Sequence, residues 1–512
     1  MTAPDKRTFP DRISGRIVRA LRGRKPLWRF LEEFCRATER SGGKSYLVGG
    51  FVRDLAEGCR GKDIDVMVAG MDFDSLGGIL RSLHVKGLGI RRVIPVGRAF
   101  AVYKVRTDWA GEEVDVALAR SERSTGPGHR EFAVRTKDVD AREDAARRDF
   151  TINSLLFALR TERGRLTGEV LDFFGGLADL RRRCIRGVGK PEDRFREDPL
   201  RMLRAIRQKN ERRGYAVEKE TWAAIRRVAP ELFGTIPGER IAGELLRSLS
   251  AGPGGTVEDL HKAGILQILF PEVSAAGKSP GRIMRRFEIL EKSLGRPLPE
   301  ILLLAGLLVD VAERECKARV REAARNASRG KITALPRGEE KRLFRLPRTE
   351  SVVRRLHFPQ VRSVVRMLED LTRLENTRRM KNPNARIESI FGRWETPAQL
   401  LSLYEAANKA AGRKGIDFRP LLRIAARRPP LLSGQDLLRL GIPASPRLEA
   451  ILDDVRENTL TAKIKNRREA ISLALSISGA GKTAPARRRR PVRRAGKAGR
   501  PAENPPGTGQ EE

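Results

Sequence analysis

The sequence predicts an α+β protein, with an α/β head near the N-terminus and helical domains after it. Three observations carry that expectation. Between residues 28 and 160, short alternating runs interleave with helical runs. Beyond about residue 175, segment after segment repeats apolar residues every three or four positions. From Gly479 the composition narrows to Ala, Gly, Pro and Arg, with no apolar face. A chain of 512 residues is also too long for one ordinary domain.

The head's elements follow in order. WRFLEEFCRATERSG, from Trp28, has helical spacing and stops at Gly42-Gly43. KSYLV (44–48) reads as a strand broken by Gly49-Gly50, and FVRDLAE (51–57) as a short helix. DIDVMVA (63–69) alternates as a strand does, and residues 72–84 read as a helix. AFAVYKVR (99–106) and EVDVALA (113–119) add two strands. GGLADLRRRCI, REDPLRMLRAIRQ, KETWAAIRRVA and GERIAGELLRSL then open the helical part.

Composition narrows the function. Lys and Arg total 103 against 65 Asp and Glu, a formal charge of +38. That excess favours a polyanionic partner, RNA or DNA before an anionic membrane. Cys35, Cys59, Cys184 and Cys316 show no metal-like spacing, and the histidines at 84, 129, 261 and 357 are scattered. A disulfide scaffold and a multi-histidine metal centre are both disfavoured. The longest apolar run, ILLLAGLLV (301–309), falls short of the roughly 18 residues of a membrane span. The N-terminus lacks a signal-peptide core and carries Asp5 and Asp11 among its arginines, so a reducing cytoplasm is the expected setting.

The chemistry begins at Gly49-Gly50-Phe51-Val52-Arg53-Asp54. Glycines between a strand and a helix let the backbone approach a phosphate, and Arg53 can add a bidentate contact. Read alone, a pair of glycines is as well explained by a plain turn. Asp63 and Asp65 flank Ile64 and would share one face of a strand, a hard oxygen pair suited to Mg²⁺. Asp115 on another strand could supply a third carboxylate, as a second metal ligand or a general base. Arg147-Arg148-Asp149 before an apolar run could clamp a triphosphate and ribose or simply cap a helix. In EDPLRMLRAIR, Asp198 and Arg201 stand one helical turn apart and could read a base edge or form a surface ion pair. Arg204 and Arg207 continue that spacing.

Five motifs in order, YLVGGFVRD, KDIDV, RRDFTIN, LDFFGGLADL and REDPLRMLRAIR, resemble bacterial tRNA nucleotidyltransferases and the related poly(A) polymerases. The resemblance covers roughly residues 44–272. VGRAFAVYKV and VDVALARSERSTGPGHREF resemble the segment joining the catalytic strands in one branch of the family. It implies a polymerase-β-like nucleotidyltransferase head followed by all-helical neck, body and tail domains. Asp63 and Asp65 would bind Mg²⁺, with Asp115 and Asp149 as further catalytic acids. Gly49, Gly50, Arg53, Asp54, Arg148, Asn153, Asp198, Arg201, Arg204 and Arg207 would hold the nucleotide.

The resemblance implies addition of CCA, or its C or A part, to tRNA from CTP and ATP. The alternatives are a poly(A) polymerase and, more remotely, an inactive RNA-binding protein. The expected layout is a basic extension (1–27), head (28–160), neck (161–275), body (276–428), tRNA-binding tail (429–478) and a disordered basic end (479–512). The segment 432–470 resembles the tail of the tRNA enzymes, whereas ARRRRPVRR resembles poly(A) polymerases. Nine Lys or Arg between residues 481 and 500 should add salt-sensitive RNA affinity. Two positions depart from the family. Gln208 replaces the usual Phe, which would loosen packing behind the base-reading helix. Val309 precedes Asp310 where relatives carry a His-Asp metal pair, so no phosphohydrolase activity is expected from the body. His129, in a Gly-Pro-Gly-His loop, is expected to be exposed or structural.

Overall fold

The computed structural model describes residues 8–61, 63–96, 101–109, 112–124, 132–136, 138–231, 236–275, 280–328, 344–358, 360–376, 383–392, 394 and 396–478. His129 and the basic end from residue 479 lie outside the described residues, as does the start of the basic extension. In chain order the head contains α1 (Thr8–Arg22), α2 (Lys25–Arg40), β1 (Lys44–Val48), α3 (Gly50–Ala56), β2 (Ile64–Ala69), α4 (Phe73–Val85), β3 (Ile90–Val96), β4 (Val102–Thr107) and β5 (Glu113–Leu118). A short hairpin of β6 (Ser121–Ser124) and β7 (Phe132–Arg135), α5 (Ala141–Ala146), β8 (Leu156–Glu162) and β9 (Arg165–Leu171) complete it.

Seven strands form one mixed sheet in the order β3-β4-β5-β2-β1-β8-β9. β2 and β5 pair in parallel, while the other neighbours are antiparallel. α2 buries Phe30, Leu31 and Phe34 against β1 and β8, the apolar stripe that its sequence spacing announces. The strands alternate as their residues predict: on β5, Val114, Val116 and Leu118 are buried and Asp115 points to the other face.

Several expected boundaries shift. The sheet runs to Leu171, past the expected limit at residue 160, because β8 and β9 form one hairpin. The basic N-terminal stretch is part of the head: Ile13, Ile17 and Leu21 of α1 are buried at helical spacing, and Ser14 Oγ accepts the Val170 N–H at 3.0 Å. α1 thus packs against strand β9, which has a partner on one side alone in the sheet order. The neck is not wholly helical, since α6 (Gly176–Arg182) leads to β10 (Cys184–Ile185), which pairs in parallel with β11 (Ala216–Val217). Between these two strands lie α7 (Pro191–Glu197) and α8 (Leu200–Glu211), and after β11 come α9 (Lys219–Val228) and α10 (Gly238–Ala251).

The LDFFGGLADL motif is a structural junction. Asp172 accepts the N–H groups of Gly176 at 2.8 Å and Leu177 at 2.9 Å, capping α6. Asp179 accepts from Thr151 at 2.7 Å and from Arg186 Nε at 2.8 Å. A Cβ on Gly176 would lie 2.2 Å from the Thr151 carbonyl oxygen, so only glycine fits there.

In the body, the apolar run from Leu302 to Val309 is buried inside helix Glu300–Ser328. No described helix is long and apolar enough to cross a membrane. Asp310 faces Arg286 Nη2 at 2.8 Å and Arg282 Nε at 3.1 Å, and Arg286 is fully buried. Guanidinium groups therefore stand beside the aspartate where the family's metal pair would be. The chain divides into two units, residues 1–377 with 390–417 and residues 378–389 with 418–512. The expected body–tail boundary at 428 moves accordingly to about residue 418. The second unit packs Leu437, Ile442, Ile451, Val455, Ala470 and Ala474 together behind a Ser433–Asp436 capping box. All four cysteines are free thiols.

Candidate active site

β1 ends at Val48, and the next residue, Gly49, has a φ of 72°, in the region that favours glycine. The chain turns there into α3, only seven residues long. A Cβ on Gly49 would sit 3.1 Å from Arg148 Nη1 and 3.6 Å from Asp65 Oδ2. The missing side chain thus lets an arginine and an aspartate meet against the turn. A Cβ on Gly50 would lie 3.2 Å from Arg53 Nη2, so that guanidinium folds back over the second glycine.

Asp65 and Asp115 are register partners on the parallel strands β2 and β5. Like charges placed directly opposite destabilise a sheet unless something neutralises them. Asp63 lies just before β2 and is exposed. Burial pushes the Asp65 carboxyl up to about 6; Arg148 and Lys104 pull it down, while Asp115 and Asp63 push it up further. Lys104 Nζ on β4 faces Asp115 Oδ1 at 3.3 Å, yet that buried oxygen makes no hydrogen bond. The oxygen-only donor set, the Asp115 oxygen that has Lys104 beside it but no hydrogen bond, and the facing carboxylates fit a divalent cation. No three Asp, Glu, His or Cys side chains among the described residues converge closely enough to hold one alone. A site built for Mg²⁺ needs only one or two carboxylates, with water and phosphate oxygens completing the shell.

Arg148 donates from Nε and Nη2 to Asp144 Oδ2 at 3.2 and 2.9 Å, which turns Nη1 toward Gly49. Arg147 takes the other oxygen, Asp144 Oδ1, at 2.7 and 3.0 Å. Burial raises the Asp144 pKa, and Arg148 and Arg147 more than reverse that, leaving it below the usual carboxylate range. Asp144 escaped the sequence reading, although an acid three and four residues before two arginines is a helix-face pair. Arg53 donates to Asp54 Oδ1 at 3.0 and 2.8 Å and to Asn153 Oδ1. Asp54 also receives Arg212 Nη2 at 2.5 Å, tying α3 to the neck.

Asp149 differs from its expected catalytic part. Its Oδ1 accepts from the Phe150 N–H at 2.8 Å and Asn153 Nδ2 at 2.9 Å; its Oδ2 accepts from Arg204 Nε at 2.8 Å. Burial works against the charge, but Arg204 and the Asn153 hydrogen bond win and hold its pKa at about 2. A carboxylate locked in that way takes no proton near neutrality.

The expected Asp198–Arg201 side-chain pair does not form. Asp198 is extended, with φ −142° and ψ 95°, at the end of α7, and α8 begins only at Leu200. Pro199 forces the preceding residue out of the helix, and Asp198 instead meets the start of α8, its carbonyl accepting the Arg201 N–H at 3.0 Å and its Oδ1 the Leu200 N–H at 3.2 Å. Asp198 Oδ2 accepts from Arg240 Nη2 at 3.2 Å. Arg201 donates to Glu197 at 3.1 Å and to the Arg147 carbonyl at 3.0 Å. Arg207 binds Glu244 and Glu211, which fastens α8 to α10. Gln208 does not loosen its surroundings: it is 2% exposed, and its Oε1 accepts from Asn153 Nδ2 at 3.3 Å.

Residues 45–186 match the family described as Poly A polymerase head domain. The head is similar to that family over those residues. Residues 214–276 match the family described as a probable RNA and SrmB-binding site of polymerase A. The head match reaches past residue 160, in line with the extra hairpin of the sheet. A Multifunctional CCA protein of Xanthomonas campestris pv. campestris (strain B100) is 39% identical over 245 residues, 47% of this chain and 53% of that protein. One from Xylella fastidiosa (strain M23) is 39% identical over 238 residues, 45% of this chain and 51% of that protein. The chain spans about half the length of the curated relatives it matches. Among solved structures, the Thermotoga maritima CCA-adding enzyme complexed with tRNA shares the fold at a TM-score of 0.60 and 18% identity, covering 90% of this chain and 98% of that one. The Bacillus stearothermophilus CCA-adding enzyme in complex with CTP does so at 0.58 and 22%, covering 89% and 98%. The head match and the shared fold agree with the resemblance drawn from the sequence.

Proposed function

We propose that this chain is a template-independent RNA 3′-end nucleotidyltransferase, with tRNA as acceptor and CTP and ATP as donors. The observation that carries the reading is the Asp65–Asp115 pair in register beside the Gly49 turn and Arg148, on a head of the matching family. The curated relatives' name and the relatives solved with tRNA and CTP support the acceptor and the donors. Such a reaction belongs in the cytoplasm.

In this reading the RNA 3′-oxygen forms a bond to the α-phosphorus, and the bond to pyrophosphate breaks. Asp63 and Asp65 would hold Mg²⁺, which would supply charge stabilisation at the phosphate oxygens and at the attacking hydroxyl. Asp115, with its unbonded oxygen, accepts the hydroxyl proton once Lys104 swings aside; Lys104 is exposed enough to move. Arg148 and Arg53 grip the triphosphate where Gly49 and Gly50 leave room. Asp198 and Arg201 present an acceptor and donors to the base edge by exchanging their protein partners for it. Asp149, Arg204 and Asn153 hold the frame behind them. Most of the rate enhancement in such a transfer comes from positioning and charge stabilisation.

The test is incorporation of labelled CTP and ATP into a tRNA that ends before CCA. Asp63→Ala and Asp65→Ala should each lower incorporation by roughly 10³-fold or more while RNA affinity stays within about twofold. Wild-type rates in both variants would refute the carboxylate assignment. A wild type that adds no nucleotide would refute the function. The descriptions of both matching families favour a second reading, a poly(A) polymerase, which long A-tails on unstructured RNA would establish.

A further inference from the structure

Four side chains make a small polar lattice between the head and α8. Asp149 and Asn153 stand four residues apart, as do Arg204 and Gln208 on one face of α8. Asp149 takes Arg204, Asn153 reaches Gln208, and Asn153 also donates to Asp149. Asn153 then spends its carbonyl oxygen on Arg53.

The chemistry of each group fixes this arrangement. Arg53 only donates, so it requires Asn153 Oδ1. Ionised Asp149 only accepts, so it requires one Nδ2 hydrogen, and Gln208 Oε1 lies on the same nitrogen to take the other. Asn153 is 6% exposed and Gln208 2%, so solvent is a poor substitute for a lost partner. The triphosphate-binding arginine is thereby tied through one amide to the helix that carries Arg201 and Arg204. An apolar side chain at 208 would have packed there but could not close the lattice.

We propose that Gln208 is a positioning residue for nucleotide binding: through Asn153 it holds the Arg53 guanidinium in the orientation that meets the triphosphate. The inference rests on the role given to Arg53 above. Without the Gln208 acceptor, the second Nδ2 hydrogen of Asn153 is left buried and unmet. The amide then keeps two of its three anchors, and its oxygen holds Arg53 less firmly.

The experiment measures ATP and CTP affinity of the full chain by equilibrium titration, alongside KM and kcat for incorporation. Gln208→Leu should weaken binding and raise KM roughly fivefold, equivalent to about 1 kcal/mol, with kcat within about twofold. In an Asn153→Ala background the same substitution should add nothing further. Unchanged affinity and KM in Gln208→Leu overturn the proposal. So does an undiminished effect in the Asn153→Ala background, because Gln208 would then act by another route. Gln208→Met keeps the volume and removes the acceptor, and it replaces Gln208→Leu if that variant melts below the assay temperature. A wild type that binds ATP or CTP but incorporates neither refutes the enzymatic reading and leaves this test intact. A wild type that binds neither refutes both.

Discussion

Replacing Arg204 with methionine isolates the charge that holds α8 against the head. Asp149 is 7% exposed and has Arg204 Nε and Nη2 each at 2.8 Å on one oxygen, with the Phe150 N–H and Asn153 Nδ2 on the other. Arg204→Met strips the first oxygen and leaves a buried charge half satisfied, a change that costs about 3–5 kcal/mol. At about 2 °C per kcal/mol for a unit of this size, the melting temperature should fall by about 6–10 °C. Thermal unfolding at pH 7 followed by circular dichroism measures it.

The companion variant supplies the control. In Asp149→Asn/Arg204→Met the amide oxygen still accepts from Phe150 and Asn153, and no charge is left unpaired, so at least half of the lost stability should return. The pH dependence has a defined sign. The folded-state pKa of Asp149 is depressed to about 2, so the wild-type contribution is full above about pH 4 and is lost as pH falls toward 2. In the single variant burial raises that pKa instead, so its uncompensated carboxylate takes up a proton, and is relieved, above that range. The gap between wild type and Arg204→Met should therefore narrow from pH 4 to pH 2. A single variant within about 2 °C of wild type at pH 7, or a double variant no more stable than the single one, would refute the reasoning.

Two further substitutions probe the turn and the body. Gly49→Ala combines a positive φ, worth about 1–2 kcal/mol of strain, with a Cβ 3.1 Å from Arg148 Nη1. It should raise the nucleotide KM roughly tenfold or more, and an unchanged KM in a folded variant would show that the turn has room to spare. In the body, Asp310→Leu should destabilise the protein by about 3–5 kcal/mol, because Arg286 stays fully buried without its carboxylate. The wild type should meanwhile release no p-nitrophenol from bis(p-nitrophenyl) phosphate with any divalent metal, and metal-dependent release would refute the reading of Arg282 and Arg286 as occupants of that position.

The site was legible in the sequence wherever one short element carries two chemical residues. The turn at Gly49-Gly50 and the alternation of Asp65 along β2 needed nothing but local rules. Partnerships between elements were not legible. Nothing in EVDV says that Asp115 lies opposite Asp65 rather than a strand away, since register is set by the whole sheet. The Asp198–Arg201 spacing looked helical because four residues make a turn, but Pro199 keeps Asp198 out of the helix, and that signal stood in the sequence. β3 was missed because IRRVIPV carries two arginines and a proline, residues that protect an edge strand and disguise it as a loop. In the N-terminal stretch the arginines drew attention away from Ile13, Ile17 and Leu21, a regular apolar stripe. Gln208 was read as a packing fault because the sequence offers no view of the buried amide it meets.

The arginines assigned to the nucleotide are not equivalent, and their partners rank them. A net charge of +38 draws any polyanion to the surface, so it cannot by itself select a triphosphate at one turn. Selection requires donors already aimed and not wholly committed. Arg148 grips Asp144 along one edge and turns Nη1 toward Gly49, so it can take a phosphate oxygen while keeping its anchor. Arg53 is held by Asp54 and Asn153 with its guanidinium folded over Gly50. In the proposed reading Arg201 would exchange Glu197 for a base edge, which would make its contribution depend on what is offered. That dependence suits a residue that discriminates between bases, because an imperfect partner fails to displace the carboxylate. Arg207, one turn beyond Arg204, divides itself between Glu244 and Glu211 and so fixes α8 against α10.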